Sequence, residues 1–256
     1  VRADGTVGVL IFDRAENVIC WLEVETDGEV EDVSVLPGAG EDQVYYVVKR
    51  TVNGSTVRYL EKWAAETSCR GGTQNLQADS YLTYSGAPTT TLTAAHLAGA
   101  SLIVWADGID YSPGDPDSQT TFTANGSGVI TLTTPVENAV YGLAYTGQWQ
   151  SAKLGLQASL AQSTLSQHKR IGHLGLVAAY LHPKGIQFGP DFDHLDDLPS
   201  IEQGTTVPAN TVRTAYDEEP IIFPGVWDTD ARLCIQAQAP RPATILALIP
   251  DFVMNA

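Results

Sequence analysis

The sequence predicts a mainly β protein, built from antiparallel strands with little helix. Three observations support this prediction. Short β-rich runs recur about every ten residues through residues 1–66. Asn53-Gly54 joins two such runs, and Asn-Gly is the preferred pair for a type I′ turn, which needs positive φ at both central residues. Only residues 150–167 show even rough helical spacing. Strands at this spacing are typical of a propeller blade, a sandwich or a barrel.

Residues 1–70 are predicted to form a β-meander. The acidic stretch at residues 23–32 alternates with apolar valines, which indicates a solvated turn rather than a metal site. Polar and glycine-containing turns separate the predicted strands. These strands cover residues 7–12, 17–25, 30–36, 43–52 and 55–63.

The two-residue loop at Asn53-Gly54 also fixes the register of the last two strands of this meander. Lys49 lies opposite Arg58 in that register, and because like charges repel, we expect this face to be wet or supplied with carboxylates. The opposite face is more apolar and is predicted to be the buried one. It carries Val48, Val52, Val57 and Tyr59.

Residues 71–149 are predicted to form an inserted, small antiparallel β-domain, rich in Thr, Gly and Ser. Turn residues break the pattern at 85–88, 107–108, 112–116 and 125–126. The predicted strands cover residues 80–84, 101–106, 120–124, 128–133 and 140–145.

Residues 150–256 are predicted to form a C-terminal β-rich part that packs with residues 1–70. The first stretch, 150–167, reads equally well as a helix or as an extended loop, because Gly155 and the Ser/Thr/Gln content weaken its helical spacing. A strand at 170–180 is expected to pair with residues 186–188 across a turn. Residues 191–216 are expected to be a surface loop. Further strands are predicted at residues 221–223, 225–227, 232–238 and 243–249.

The chain carries 14 basic and 30 acidic side chains, a formal net charge of −16. Stable binding to a phosphate backbone or an anionic membrane depends on Lys and Arg, so this balance argues against both. An acidic wall would instead let DNA slide past. No apolar run approaches the ~18 to 20 residues of a membrane-spanning helix, and no signal peptide is visible. Because the chain starts at Val1 without Met, we expect it to be a fragment of a longer protein.

Three cysteines, Cys20, Cys69 and Cys234, form neither a disulfide framework nor a zinc pattern, and we expect reduced thiols, at least two of them buried. The five histidines likewise lack the spacing of a metal site. They are His96, His168, His173, His182 and His194.

Two acidic groups are candidates for chemistry. Residues 191–197 are dense in oxygen ligands of the kind that Ca²⁺ prefers, but the EF-hand pattern fails, and a solvated or interfacial loop is favoured. Asp228 and Asp230 are a carboxylate pair of the kind that glycosidases use, but any acidic protein offers such pairs, and a turn before the next strand is favoured. No nucleophile elbow, P-loop or dinucleotide motif is present. The sequence therefore predicts no catalytic, cofactor-binding or metal-binding residues, and no enzyme.

The five tryptophans allow two interpretations, a sugar-binding platform or packing in a core or between domains. Each falls in or beside a predicted strand, which favours packing. They are Trp21, Trp63, Trp105, Trp149 and Trp227.

The order of several stretches resembles a family of structural proteins of short-tailed phages, the tail nozzle or tail tubular protein B, related to packaged-DNA stabilisation proteins. The most recognisable piece is Val-Lys-Arg-Thr-Val-Asn-Gly at residues 48–54, followed by Arg-Tyr-Leu-Glu at 58–61. Each motif alone is moderately specific, and together they cover most of the chain. The others lie at residues 18–36, 79–86, 96–99, 106–108, 142–146, 169–171, 188–193, 225–234 and 240–242.

The resemblance implies a β-propeller-like body with an inserted β-domain, assembled as a homo-oligomer, a hexameric ring below the portal and adaptor of the virion. Such a ring conducts double-stranded DNA during ejection, seals packaged DNA and carries no catalytic residues or cofactors. The protein would be made in the host cytoplasm. Ring contacts require exposed apolar or aromatic residues, and Trp149 and residues 191–216 are the candidates. The alternative is a receptor-binding or carbohydrate-binding tail fibre module, and a polysaccharide-degrading enzyme is a third possibility.

Overall fold

The computed structural model describes residues 1–113, 119–155, 157–159, 162–202, 204–217 and 220–254. Every strand pairing among them is antiparallel. The helical segments of the described chain are three short 3₁₀ turns, Glu66–Ser68, Ala95–Leu97 and Thr164–Ser166. The predicted mainly β, antiparallel fold class is therefore confirmed. Within the same residues, no helix is long and apolar enough to cross a membrane.

The N-terminal part contains the predicted meander as two separate sheets. The first pairs β1 with β2, and the second has the order β3-β4-β5. Val7, Val30 and Val48 are buried together in a small core between the sheets. The strands are β1 (Val7–Asp13), β2 (Val18–Val24), β3 (Glu29–Leu36), β4 (Gln43–Val52) and β5 (Ser55–Lys62).

The β4–β5 hairpin has the register that its turn predicts, with Lys49 opposite Arg58. Asn53 and Gly54 both take positive φ, 48° and 74°. The like charges of the wet face are each compensated by a carboxylate. Lys49 Nζ lies 2.5 Å from a Glu29 oxygen, and Arg58 pairs with Glu31 at 2.6 Å. Both the register and the carboxylate prediction are confirmed.

The middle part forms one sheet in the order β6-β10-β7-β8, with β9 also paired to β7. One predicted break is wrong, and two strands predicted separately form one strand. β6 continues through residues 85–88, and the predicted strands 128–133 and 140–145 belong to one long strand, β10. The β6–β10 ladder absorbs the irregular residues as register shifts, which local sequence patterns do not reveal. The strands are β6 (Asp79–Thr93), β7 (Ser101–Ala106), β8 (Ile109–Asp110), β9 (Phe122–Thr123) and β10 (Val129–Leu143).

The C-terminal part is built on two four-stranded sheets and two small hairpins. Its strands are β11 (Thr146–Gln150), β12 (Gln157–Ser159), β13 (Gln162–Ser163), β14 (Lys169–Leu181), β15 (Ile186–Asp191), β16 (His194–Asp197), β17 (Ile201–Glu202), β18 (Thr205–Thr206), β19 (Arg213–Tyr216), β20 (Ile221–Ile222), β21 (Cys234–Gln238) and β22 (Thr244–Met254). One sheet has the order β11-β21-β15-β16. In the other, β14 pairs with β19, β20 and β22.

Three predictions for this part need correction. β15 does not pair back onto β14 but lies between β21 and β16. Residues 191–216 include the short strands β16 to β19, so they are not one loop. Residues 225–227 form no strand. Of the two alternatives for 150–167, the described residues contain no α-helix but the end of β11, the strands β12 and β13 and one 3₁₀ turn, while residues 156, 160 and 161 lie outside the described ones. The pairing of β15 with β21 joins residues that are distant in sequence, which local patterns do not reveal.

The two larger cores lie in the middle part, around β6, β7 and β10, and in the C-terminal part, around β14, β15 and β21. β11 straddles the predicted boundary at residue 149 and pairs with β21 of the C-terminal part. The guanidinium of Arg70 lies 5.0 Å from the centroid of the Tyr180 ring, so residues 1–70 do contact the C-terminal part. The division into 1–70, 71–149 and 150–256 stays a prediction.

Candidate assembly interface

The β1–β2 hairpin exposes large apolar side chains on both of its faces. One face pairs Leu10 with Trp21 and Phe12 with Ile19 across the two strands. Trp21 is 71% exposed, Ile19 65% and Phe12 61%. The opposite face carries Ile11, which is also exposed. Apolar surface of this extent on one element is typical of an interaction site.

Local sequence explains why the hairpin forms. Asp13 Oδ1 accepts hydrogen bonds from the backbone N–H groups of Ala15 and Glu16, at 2.8 and 3.1 Å. Asn17 takes the positive φ of 54° that closes the turn. The base of the hairpin packs into the small N-terminal core through Val7 and its neighbours. The hairpin is therefore anchored at its base while its apolar outer half faces solvent.

Sequence reasoning missed this surface because the two strands were expected to lie within a larger sheet. One signal in the sequence could have indicated it. Ile19 and Trp21 lie on the face of β2 that would be polar if the strand were half-buried.

The ring-contact candidates named from the sequence lie elsewhere. Trp149 is 50% exposed on β11, an edge strand whose five residues are all exposed. Within 191–216, Ile201 is exposed on the small β17–β18 hairpin. Both belong to the C-terminal part, whereas the β1–β2 hairpin belongs to the N-terminal part.

The packing interpretation of the tryptophans holds fully for Trp105 and in part for Trp63, whose ring centroid lies 5.6 Å from that of Tyr46. Trp105 is fully buried and donates its ring N–H to Gly72 O at 2.9 Å. Trp21, Trp63, Trp149 and Trp227 are each at least 43% exposed. Among the described residues, the ring contacts join no two tryptophans. A shared sugar-binding platform has no support from this arrangement.

The acidic stretch 191–197 forms the β15–β16 turn and the strand after it. Asp191 accepts a hydrogen bond from the Asp193 N–H at 2.9 Å and contacts His194 Nδ1 at 2.8 Å. The hydrogen bond from His194, more than any other contact, holds the pKa of Asp191 below its usual value. Asp197 pairs with Lys184. These carboxylates are engaged in a turn and an ion pair.

The five histidines are dispersed. His96 contacts Ser80 O, His173 lies 3.9 Å from Asp251, and His182 is fully buried. His168 and His194 are exposed. No group of three or more His, Cys, Asp or Glu side chains within the described ranges is placed to hold a metal ion.

Asp228 and Asp230 form a turn before β21. Asp228 Oδ1 accepts the backbone N–H of Asp230 at 3.1 Å, and this hydrogen bond lowers the pKa of Asp228. Asp230 pairs with Arg232 at 3.0 Å. The turn interpretation therefore accounts for both carboxylates.

The three cysteines are free thiols, but the prediction that at least two are buried is wrong. Cys234 is buried, Cys69 is half-buried, and Cys20 is exposed on the β1–β2 hairpin. Burial raises the pKa of Cys69 to about 11, so its thiol is protonated at neutral pH.

The contact between the middle and C-terminal parts contains a buried polar junction. His182 Nε2 lies 3.0 Å from Asn210 Oδ1. That oxygen is an acceptor, because Asn210 Nδ2 donates to the Asp110 carbonyl at 2.8 Å. His182 Nδ1 in turn accepts the backbone N–H of Lys184 at 3.1 Å. Both ring nitrogens are thus used by the neutral, Nε2-protonated imidazole.

We expect this junction to weaken at acidic pH. Burial, followed by the charge of nearby Arg241, lowers the pKa of His182, although Asn210 and Asp110 oppose the shift. The unfolded chain therefore binds a proton near pH 6.5 that the folded chain rejects. The contribution of the neutral His182 to the free energy of unfolding is fully present above that pH. It falls as the pH drops towards the lowered pKa of His182 in the folded chain.

Urea unfolding at neutral and mildly acidic pH checks this expectation. His182→Gln should show less loss of stability on acidification than the unsubstituted chain. His168→Gln, at an exposed position, is the control and should lose as much stability on acidification as the unsubstituted chain. An unchanged pH dependence in His182→Gln would contradict the assignment.

Comparison with models of known protein families finds no match to this sequence, and comparison with curated proteins finds none either.

Proposed function

We propose that this chain is a structural component of a phage tail, a nozzle or tail-tube subunit that assembles into a hexameric ring conducting double-stranded DNA. In this proposal the antiparallel sheets form a propeller-like body, and the ring sits with portal, adaptor and other tail proteins in the virion. The chain has no enzymatic role. The exposed apolar β1–β2 hairpin is the observation that carries the proposal.

The hairpin supports self-assembly because its exposure is costly in an isolated subunit. Burying one large apolar side chain contributes about 1.5 to 3 kcal/mol. Phe12, Ile19 and Trp21 together offer several such contributions on one face. Aromatic residues of this kind are enriched at the centres of interfaces.

The acidic balance supports a conduit rather than a DNA-binding protein. Each phosphate contact made by Lys or Arg would add salt-dependent affinity and so slow the passage of DNA. A net charge of −16 limits such contacts. The proposal places acidic side chains towards the channel. A ring whose lumen is basic and whose exterior is acidic would contradict it.

The mass of the native assembly, measured by light scattering and native mass spectrometry, tests the ring. The expected result is a closed oligomer of the 27.4 kDa chain. A monomer at every accessible concentration would contradict self-assembly. Specific binding of that monomer to an immobilised glycan would support the tail-fibre alternative instead.

Replacing Phe12 and Trp21 together by threonine is expected to weaken self-association by about tenfold or more, because both apolar anchors are lost. Threonine retains strand propensity, and both side chains are exposed, so thermal stability of the subunit should stay nearly unchanged. Sedimentation velocity measures the association.

The matched control is Ile222→Thr, which replaces a side chain that is 78% exposed on β20. It should associate like the unsubstituted chain. Equal loss of association in the control and the hairpin variant would show that the hairpin is not the contact.

A further inference from the structure

The outer edge of β11 is a free strand edge in the C-terminal part. β11 ends the sheet order β11-β21-β15-β16, and β21 is its strand partner among the described residues. All five residues of β11 are exposed. A Cβ added at Gly147 would meet no atom within 4 Å beyond its own chain neighbours, so the space beside the strand is open. A free edge of this kind can pair with a further strand.

Two backbone hydrogen bonds fix the direction of the groups along β11. The Ser151 N–H donates to Leu233 O at 2.9 Å just after the strand, and the Ala239 N–H donates to Tyr145 O at 3.1 Å just before it. The register of β11 with β21 has no shift between these two pairs. In an antiparallel ladder, residue pairs that exchange hydrogen bonds alternate with pairs that do not. Counting inwards from Tyr145 and from Ser151 therefore gives the same assignment.

Gly147 and Trp149 are the residues of β11 that hydrogen-bond to β21 in this alternation. The backbone N–H and C=O groups of the other three residues point away from β21, towards the free edge. Within the described part of the chain, no hydrogen bond uses these outward groups. They belong to Thr146, Gln148 and Gln150.

The side chains of β11 leave this edge unprotected. Natural proteins often block free strand edges with charged residues or proline. The sequence of β11 is Thr-Gly-Gln-Trp-Gln, without a charge or a proline, in a chain of net charge −16. Two copies of this edge can therefore approach each other without the like-charge repulsion that charged residues directly opposite each other would cause.

Gln148 also ends a row of hydrogen-bonded side chains that crosses the sheet. Its Nε2 donates to Gln236 Oε1 at 2.8 Å. The Gln236 amide donates to Gln187 at 3.3 Å, and Gln187 donates to Asp197 at 2.9 Å. Asp197 is ion-paired with Lys184, and because an ionised carboxylate only accepts, it sets the direction of the row. The row leaves the amide oxygen and one amide hydrogen of Gln148 at the free edge.

We infer that β11 pairs with β11 of a second copy of this chain, antiparallel and centred on Gln148. Thr146 of each copy then lies opposite Gln150 of the other, and every outward N–H and C=O group of β11 gains a hydrogen-bond partner. The two Gln148 amides meet at the two-fold axis, where their remaining groups can bond to each other. The contact is isologous, since both copies use the same surface.

Trp149 and Gly147 fit this register. With Gln148 at the centre, Trp149 of each copy lies opposite Gly147 of the other, in a pair without backbone hydrogen bonds, where side chains come closest. The indole can then cover the glycine, as aromatic residues do in sheets. Trp149 is 50% exposed and lies beside Ile235, which is buried in the C-terminal core. The pairing thus extends this core across the contact.

The β11 contact does not rest on the proposed ring, because it uses a different element from the β1–β2 hairpin. Five residues from each copy bury less surface than a standard interface, so we expect a weak, concentration-dependent dimer. Where a ring also forms through the hairpin, the β11 contact joins two rings in dihedral symmetry.

Sedimentation velocity tests the contact in the Phe12→Thr, Trp21→Thr chain, from which the hairpin anchors are absent. A concentration-dependent dimer is expected there. Adding Gln148→Pro removes a backbone donor of each copy from the centre, and the dissociation constant should rise by about tenfold or more. The Gln148 N–H points away from β21, so the sheet of the subunit and its Tm should be retained. Gln148→Lys, which places like charges opposite each other, should act in the same direction and decides the matter should Gln148→Pro not fold.

Thr56→Pro is the matched control. Thr56 is exposed on β5, an edge strand of the sheet β3-β4-β5. The Trp63 N–H donates to Val44 O at 2.9 Å, and alternation along the β4–β5 register turns the Thr56 N–H away from β4. Proline at this position removes an outward donor from a different edge, so the dimer should persist.

Cysteine at the two-fold axis gives a second readout. In a Cys20→Ser chain, which lacks the exposed natural thiol, Gln148→Cys places two thiols on residues whose Cα atoms are about 5.5 Å apart. This separation suits a disulfide. Oxidised glutathione should therefore link two copies through Gln148→Cys, whereas Thr56→Cys in the same chain should stay unlinked.

A monomer at every soluble concentration, without a Gln148→Cys link, would overturn the inference and leave the hairpin contact untouched. A dimer that is insensitive to both Gln148→Pro and Gln148→Lys, or equally weakened by Thr56→Pro, would overturn it as well. The expected outcome is a dimer in the hairpin variant that is lost on substitution of Gln148 alone.

Discussion

Arg50→Met is expected to destabilise the protein by about 3 to 5 kcal/mol, because it removes one partner from a buried ion cluster. The Arg50 side chain is 3% exposed and bonds to both oxygens of Glu61, at 2.9 and 2.8 Å. It also lies 3.4 Å from Asp79. Methionine would leave these two partly buried carboxylates without a cation. Urea unfolding should show a lower midpoint with an unchanged m value.

Arg50 also connects separate strands of the fold. Its guanidinium donates to Thr26 Oγ1 at 2.8 Å and to the Asp27 carbonyl, just before β3. Asp79, at the start of β6, accepts a 2.6 Å bond from the Thr26 hydroxyl. The cluster thus joins the N-terminal meander to the middle sheet. Loss of Arg50 should also loosen the contact between these parts, seen as faster amide exchange at the start of β6.

The control for this prediction is Arg58→Met, on the neighbouring strand. Arg58 also makes a two-bond pair, with Glu31 at 2.6 and 2.9 Å, but its side chain is 59% exposed. Solvent screens such a pair, so its loss should change stability far less. Similar losses in the two variants would contradict the argument that burial of the ion pair decides the effect.

Lys169→Met is the second large expected loss, about 2 to 4 kcal/mol. Lys169 is fully buried, and its Nζ donates to the backbone carbonyls of Leu165, Gln167 and Thr229, at 3.3, 3.2 and 2.8 Å. Methionine has a similar length but no donor. Three buried or partly buried acceptors would then lose this partner.

Through these hydrogen bonds the Lys169 ammonium group connects the start of β14 to two turns, one with Leu165 and Gln167 and one with Thr229. The backbones of Lys169 and Asp228 also bond to each other in both directions, at 2.8 and 3.0 Å. We expect Lys169→Met to release the 228–230 turn, which limited proteolysis would detect along with the lower unfolding midpoint. Lys62→Met, at an exposed position, is the control and should leave the midpoint unchanged. A wild-type midpoint for Lys169→Met would show that the three carbonyls find other donors.

Much of the N-terminal fold follows from sequence because the signals are local. Asn53-Gly54 demands positive φ at consecutive residues, and this fixes the register of β4 and β5 residue by residue. Turn chemistry and side-chain period act over a few residues, so they can be read without the rest of the chain.

The candidate sites were less accessible from sequence. Nothing near Arg50 or Lys169 in the sequence shows which carboxylates or carbonyls will surround them. Asp110, which accepts the Arg241 hydrogen bond, lies far from Arg241 in the chain. The sequence did not reveal that the β1–β2 hairpin is exposed, because the apolar content of its strands resembled that of buried strands.

The sequence by itself determined an acidic, mainly β chain with a meander and an Asn-Gly hairpin. Only the tertiary structure decided that β15 pairs with β21, that β6 continues past its turn residues, that residues 129–143 form the single strand β10, and that the β1–β2 hairpin stands outside the main sheets. The physical reason is that strand pairing and burial depend on partners distant in sequence, whose competing contacts outweigh local propensity.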